Sequence, residues 1–513
     1  MKTAGFCVVL LAAASLVHAA VRSGKVAAVD ADSKSITVTT ADGKDMEFEI
    51  RDGVSITLNG KKAGLDQIEA GQQISVTTGK DDKVQKVTAR LAPTKPATPK
   101  PGKSKKSKAK TDSEDEPAAS GEATDWPQFG GLHRDNKSTE TGLLKRWPKS
   151  GPKLLWTAKG LGAGYGSVSI AKGVVYAVGN VGDQETLVAV DLDSGRKLWG
   201  TPFAPASKLQ MGDGPRSTPT VDGNLVYALG GNGDLVCADV KAGDVRWKKN
   251  ILSEFGGSNI RWGISESVLI DGNRLICTPG GKQATIVALD KQSGDTLWKS
   301  VVPGGSEAGY ASAIVADVGG VRQYIQFLAA GTAGVRAEDG AFLWGDNSSA
   351  NGTANCSTPI FTNDMVFTAS GYGTGGTLLR LSTKGEKTES KVAYTTKEMK
   401  NHHGDMVVVD GFLYGSNDPG ILTCMELKTG KVRWTSRSPG KGSIVYADGH
   451  LYVRSEEGPV ALVQANPSAC NEHGLFDQPE RSGAKAWAHP AIAHGRLFLR
   501  DQDNLLCYSI KGE

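Results

Sequence analysis

Side chains suited to ligand chemistry recur just ahead of, or inside, a series of short apolar segments. They are Tyr165, Arg216, Arg261 with Trp262, Glu266, Tyr310, Asn355, His402 with His403, Lys441 and His489. Arginine pairs bidentately with carboxylates, and tryptophan and tyrosine offer flat faces for stacking. Arg216, Arg261, Trp262, Tyr310, His402, His403 and Lys441 are therefore the candidate contacts to a ligand or cofactor. The competing reading is a channel lining whose polar groups bond water or neighbouring backbone. His402 and His403 are adjacent, and neighbours on a strand point to opposite faces, so the pair does not make a shared metal site. No G-x-S-x-G, P-loop, H-E-x-x-H or C-x-x-C-H signature accompanies them.

The elements that must position these residues come from a repeat. DLDSGRKLW at 191–199 returns as DVKAGDVRW at 239–247, DKQSGDTLW at 290–298 and ELKTGKVRW at 426–434. Ahead of it stand alternating segments broken by D-G or N-G, as in PTVDGNLVYAL at 219–229 and IVYADGHLYVR at 444–454. Asx-Gly between alternating runs marks a tight hairpin, because glycine accepts positive φ without steric cost. Each unit thus reads as four antiparallel strands, the fourth ending in Trp156, Trp199, Trp247, Trp298, Trp344 or Trp434. A spacing of roughly 40–50 residues is the period of propeller blades. The count is eight, with VAY at 392–394 in the Trp position of one degenerate unit and ALVQANPSAC lengthening another. The last unit supplies three strands, and KLLW at 153–156 is the expected fourth, which closes the ring and removes its open edges.

The ALD…TG…W pattern resembles the repeat of quinoprotein alcohol dehydrogenase-like (PQQ-like) propellers, a group that includes PQQ-dependent dehydrogenases and the BamB assembly scaffold. The lead-in DWPQFGGLHRDNKS and the segments WGISESVLIDGNRLICTPGG and KNHHGDMVVVDGFLYG strengthen the likeness. It covers residues 126–513. The resemblance implies an all-β, eight-bladed propeller. For its enzymes it also implies PQQ stacked between a Trp and a disulfide of adjacent cysteines, Ca²⁺ held by Glu and Asn, and an Asp base. Here Trp262, Glu266, Asn355 and Asp405 supply those types, which makes Glu266 and Asn355 the candidate metal ligands and Asp405 the candidate catalytic residue. The chain has no Cys-Cys pair, a departure that counts against the cofactor. The favoured reading is a binding or assembly module with a ligand site at the channel mouth. Its partner would be a protein, polymer or small molecule. The alternative is a PQQ/Ca-dependent oxidoreductase of the alcohol or polyvinyl-alcohol type.

The rest of the 513 residues frame that unit. Residues 1–20 read as a signal peptide, so the product is exported, periplasmic or extracellular. Residues 21–92 carry alternating segments with Asx turns and read as five or six antiparallel strands of a small OB-like barrel with one aromatic residue, Phe48. Residues 93–125 are Pro- and Lys-rich, then acidic, and read as a disordered linker. A net charge of +4 over this length gives no reason to expect nucleic acid, no later segment is apolar enough to span a bilayer, and a monomer is expected. Cys237, Cys424 and Cys507 share one repeat position, alternating with Ala189 and Ala288, and read as free core thiols; a Cys356–Cys470 bridge stays open.

Overall fold

The computed structural model describes residues 20–90, apart from 31–32, 41–43, 52–53, 59–60, 69–71 and 79–82, and residues 124–512, apart from 305–306. The signal peptide and nearly all of the linker expected from the sequence lie outside the described residues. The chain divides into two compact units, Met1–Thr111 and Asp112–Glu513.

In the first unit one seven-stranded sheet runs in the order Asp45–Glu49, Ser35–Thr40, Ala20–Asp30, Gln73–Thr78, Val84–Arg90, Ser55–Leu58, Lys61–Lys62. Ile36, Val38, Phe48, Ile74, Val76 and Val87 form its core. Two expectations are corrected. Among the described residues there are seven strands rather than five or six, and Ser55–Leu58 pairs in parallel with Val84–Arg90, reached through the 3-10 turn Leu65–Gln67 and strand Gln73–Thr78. Asx-Gly punctuation reports hairpins, so it cannot show a strand that returns by a crossover.

The second unit is built of eight four-stranded antiparallel sheets. The first runs from Ser169–Ala171 to Lys197–Pro205, and the eighth comprises Ala491–Ala493, Arg496–Asp501, Asn504–Ser509 and Lys153–Ala158. The last of these is the strand expected from KLLW, and Trp156 lies opposite Cys507. Only one short α-helix, Ile251–Phe255, interrupts the strands among the described residues. Middle strands are buried on both faces, as in Leu225–Leu229, whereas fourth strands such as Val245–Asn250 are largely open. This follows from stacking: a central strand has a neighbouring sheet on each side, so it reads as a continuous apolar run. The apolar clusters accordingly join neighbouring sheets, as when Tyr176, Val178 and Leu187 meet Val221, Val226 and Val236.

The recurring D…G…W motif is the clasp between sheets. Asp191 opens its turn by accepting from the Ser194 N–H at 2.8 Å. Gly195 has φ 67°, and a Cβ there would fall 2.6 Å from the Trp156 ring. The indole of one sheet therefore lies flat on the turn of the next. Its N–H then donates to the carbonyl that starts that turn: Trp156 to Leu192, Trp199 to Val240, Trp247 to Lys291, Trp298 to Ala337. Tyr394 does the same with its hydroxyl on Leu427, at 2.6 Å. Across the ladder, each of the six indoles faces a small residue: Ala189, Cys237, Ala288, Gly334, Cys424 or Cys507. That explains why cysteine alternates with alanine there, and the six cysteines after Cys7 are all free.

A strap formed by residues 125–144 crosses the first strands. Trp126 exchanges backbone hydrogen bonds with Ile170, and Val221 N–H donates to Pro127. Arg134 donates to the carbonyls of Ser267 and Val268, Asn136 to that of Met406, and Ser138 N–H to that of Tyr446. Glu140 accepts from Gly495 N–H. Six of the eight sheets are tied together by this one segment.

Candidate functional site

The segments entering the eight first strands converge on one cavity of about 350 Å³. Tyr165 and Ser167, Arg216, Trp262 and Ser265, Tyr310 and Ser312, Cys356 and Thr358, His402, His403 and Asp405, Lys441, and Trp487 with His489 all line it. In five of these segments the lining residues lie two apart, which is the same-face spacing of extended chain. The deeper member of each pair joins a belt of hydrogen bonds between sheets. Ser167 N–H donates to Thr218 Oγ1, Thr218 N–H to Ser267 Oγ, and Ser267 N–H to Ser312 Oγ, at 2.8–3.1 Å. Thr358 N–H donates to Asp405 Oδ1 at 2.7 Å, and Ser167 Oγ–H to the His489 carbonyl at 2.6 Å.

Above that belt stands an aromatic wall. The Arg216 guanidinium sits 5.1 Å from the Tyr165 ring centre, and Tyr165 lies 4.9 Å from Trp487. Trp487 is 5.8 Å from His403, His403 5.1 Å from His402, and His402 4.6 Å from Tyr372. Trp262 and Tyr310, 5.5 Å apart, form a second aromatic pair. Most charges are already matched. Lys441 Nζ is 2.8 Å from Asp418 and 2.7 Å from His402 Nδ1. Burial raises the Asp418 pKa, but His402 and Lys441 outweigh it and hold the carboxyl below its usual range. Lys485 lies against Glu457 and 3.7 Å from Glu456. Arg216 differs: its hydrogen bonds go to the backbone carbonyls of Gly214, Gln210 and Gly212.

Glu456 Oε2 accepts from His403 Nε2 at 2.9 Å and from Trp487 Nε1 at 3.1 Å. Burial pushes the His403 pKa down to about 4, against the pull of Glu456. Burial acts upward on Glu456, yet the His403 and Trp487 donors bring its pKa to about 2. His403 is thus neutral at pH 7, an Nε2–H tautomer whose Nδ1 has no partner among the described residues. Asp405 Oδ2, His489 Nδ1 and Thr358 Oγ1 are also without partners there. Burial raises the Asp405 pKa.

Two contributions to stability are accordingly lost in acid. Below pH 6.5 the unfolded chain takes up a proton that folded His403 refuses until about 4. Between 4.5 and 2 folded Glu456 resists protonation that the unfolded carboxyl accepts. These two contributions are lost in turn as the pH falls, against the stability gained below pH 7 from Glu266, whose folded pKa is raised to about 7; the difference in thermal midpoint between the parent and His403→Gln should therefore fall between pH 6.5 and 4.

Of the residues singled out from the sequence, Arg216, Trp262, Tyr310, His402, His403, Asp405, Lys441, Tyr165 and His489 come together. Arg261 stands outside the lining, stacked 5.1 Å from Trp262 and bonded to Gln210. Glu266 is buried outside the lining; it accepts from Thr278 N–H and from Gln326, and burial raises its pKa to about 7. Asn355 spends its amide on the Leu328 and Ala329 carbonyls and its oxygen on Asn351 N–H. The structure does not bring Glu266 and Asn355 to the cavity, and no group of three or more metal-ligating side chains occurs among the described residues. Phe129, Met211, Tyr372, Glu456 and Lys485 were missed, because they arrive from the strap and from loops outside the first-strand positions, and Trp487 was missed although it lies two residues before His489 in the eighth entry segment. Ser167, Ser312 and Thr358 were within reach of the i+2 rule applied to Tyr165, Tyr310 and Cys356.

Cys356 opens onto the cavity, but burial raises its pKa to about 12. At pH 8 its thiolate fraction is on the order of 10⁻⁴, so iodoacetamide should leave it unmodified over hours in the native protein and label it on unfolding. Mass spectrometry of the Cys356 peptide reads this directly.

A family model described as "Outer membrane protein assembly factor BamB" matches residues 138–263 and 183–436. BamB of Escherichia coli (strain K12) is 28% identical over 120 residues, which are 23% of this chain and 27% of that protein. The chain thus spans about a quarter of that relative's length. BamB of Yersinia pestis is 26% identical over 168 residues, 31% of this chain and 39% of the relative. Among solved structures, BamB from Moraxella catarrhalis aligns with 70% of this chain and 98% of its own at 13% identity, with a TM-score of 0.51. Quinohemoprotein alcohol dehydrogenase from Comamonas testosteroni aligns with 76% and 81% at 11% identity, with a TM-score of 0.55. At these identities the structural likeness speaks for a propeller-like all-β fold.

Proposed function

This chain belongs to the PQQ-like repeat family described as outer membrane protein assembly factor BamB, matched over more than half its length, and from that premise we propose that it is an exported binding module that takes a small ligand at the channel mouth. In this reading the eight sheets are eight blades of one ring, clasped shut by Lys153–Ala158, and the propeller acts as a monomer. The observation that carries the reading is the cavity: about 350 Å³, supplied by all eight first-strand entries, walled by six aromatic rings and furnished with buried polar atoms that have no protein partner. Concave, mostly apolar sites with a few convergent polar groups are the usual form of small-molecule sites. An assembly role with a protein partner, as in the name of the relatives, is compatible with the same fold and would use other surfaces.

The residues present do not fit PQQ with calcium. Calcium takes six to eight oxygen ligands, whereas Glu266 and Asn355 are committed to Thr278, Gln326, Leu328 and Ala329 away from the cavity. Of the two carboxylates that line the cavity near its floor and wall, Asp405 has an oxygen without a partner among the described residues, and Glu456 is held through Oε2 by His403 and Trp487. Cys356 is single and free, so no disulfide of adjacent cysteines offers a stacking face. A tricarboxylate would also meet Asp405 and Glu456 in the walls.

The test is a thermal-shift and tryptophan-fluorescence screen of the full chain against a chemically diverse small-molecule set, with PQQ plus or minus Ca²⁺ included. Stabilisation that disappears in Trp487→Ala is expected, of about 2.7 kcal/mol at a hundredfold excess over Kd. Ca²⁺-dependent PQQ binding would return the dehydrogenase reading, and a set without a single Trp487-dependent hit would remove the small-ligand reading.

A further inference from the structure

We propose that the cavity recognises an acidic saccharide, a sugar ring carrying one carboxylate, with the acid on Arg216 and the ring against Tyr165 and Trp487. The proposal rests on the small-ligand reading above and names the class of ligand.

The argument starts from charge. Lys441 is paired with Asp418, and Lys485 with Glu457 and Glu456. Arg216 alone among the lining cations is held only by carbonyls, and its three recorded bonds leave two of five N–H groups available. A guanidinium with no salt bridge among the described residues fits one anionic group. Asp405 and Glu456 oppose a polyanion, and Arg216 opposes a cationic ligand that the aromatic rings would otherwise suit.

The second step is the polar pattern. A flat aromatic carboxylate would satisfy Arg216 and the rings but would leave Asp405 Oδ2 and His403 Nδ1, which have no partners among the described residues, unsatisfied. Hydroxyl groups donate and accept at once, so a polyol matches a wall that offers acceptors beside the Thr358 and serine hydroxyls. The order along the wall is also right. Arg216 stacks on Tyr165 at 5.1 Å, Tyr165 on Trp487 at 4.9 Å, and Trp487 bonds Glu456 at 3.1 Å. A cation stands at one end, a carboxylate at the other, and two apolar faces between them can meet the C–H face of a sugar ring through the negative π surface. The volume of about 350 Å³ accommodates one or two such rings.

The experiment is calorimetric and fluorescence titration of the full chain with glucuronate and galacturonate mono- and disaccharides, their methyl esters, cellobiose and benzoate. The acids should bind saturably and at least about tenfold tighter than their methyl esters, as one charge-assisted pair provides. Raising the salt should erode that preference. Arg216→Gln should abolish the acid-over-ester preference while ester binding persists, an outcome that a merely structural role would not give. The acid–ester comparison on the unaltered protein decides the matter even where that variant fails to fold. Equal binding of acid and ester, or silent saccharides with benzoate bound in a Trp487-dependent way, overturns the saccharide assignment and leaves the small-ligand reading standing. A silent panel together with a silent diverse screen overturns both.

Discussion

Replacing Arg134 with methionine is expected to destabilise the propeller by about 3–5 kcal/mol, the cost of stranding the partners of a buried charge. Arg134 is 5% exposed and belongs to the strap rather than to any sheet. Its guanidinium donates to Gln128 Oε1 at 3.0 Å, to the Ser267 carbonyl at 2.6 Å and to the Val268 carbonyl at 3.1 Å. Burial lowers its pKa to about 10, and the charges of Glu266 and Asp405 pull in the opposite direction. Methionine fills much of the same volume but leaves the Ser267 carbonyl and the Gln128 amide oxygen without their donor, and takes one of two donors from the Val268 carbonyl, which Thr220 also bonds. It also removes the positive charge that eases ionisation of Glu266 and Asp405. Two readouts separate this from a simple packing loss. The urea midpoint should fall, and the fall should shrink at pH 5, where Glu266, with its pKa raised to about 7, is protonated and needs no counter-charge. Arg134→Lys keeps the charge but not the three-point geometry and should lie between. A variant within 1 kcal/mol of the parent, roughly the size of an ordinary surface change, would mean that the strap is an accessory and not a pin.

The strap also shows where sequence reading stops. The D…G…W repeat announces itself because turn chemistry and a bulky aromatic recur at a fixed period, so four-stranded units, their order and the closing role of KLLW were all legible. The shared position of Cys237, Cys424 and Cys507 was legible as a small buried site, although the reason emerges only when each is seen opposite an indole. DWPQFGGLHRDNKS carries no period and no alternation, and its work is done through contacts up to 369 residues away, as between Asp125 and His494. Nothing local encodes such a partner. The same holds in the site. Residues entering first strands were found because the repeat gives their phase. Glu456 and Lys485 come from two other loops, the second pinned by Arg481 and Ser482 on Asp501. Glu266 and Asn355 had the right chemistry and the wrong depth. A side chain's type says what it can bind, but its neighbours decide whether it is free to do so. The small N-terminal sheet was read through its hairpins, and its one parallel pair, which no turn announces, was the part that escaped.

Trp156→Ala is the second large effect, again about 3–5 kcal/mol for truncating a packed tryptophan, and it tests how the ring is held shut. Trp156 lies on the strand that joins the chain's early residues to its last sheet, opposite Cys507. Its ring packs near Phe498, at 6.0 Å, and lies flat on the Gly195 turn of the first sheet, while its N–H reaches the Leu192 carbonyl at 3.2 Å. One side chain thus joins the eighth sheet to the first. Removing it weakens pairing along Asn504–Ser509 and exposes a strand edge that closure had hidden. Limited proteolysis should cut near residues 150–160 before the rest of the propeller, and the urea midpoint should fall. Gly195→Ala attacks the same clasp from the other side, since its φ of 67° and the 2.6 Å approach to the Trp156 ring leave no room for a methyl group. Trp344→Phe is the control. That indole donates to Gln323 of its own sheet, so its loss should lower stability without making the ends of the chain protease-sensitive. If all three variants behave alike, closure depends on the ladder hydrogen bonds of the joining strand and not on the tryptophan clasp.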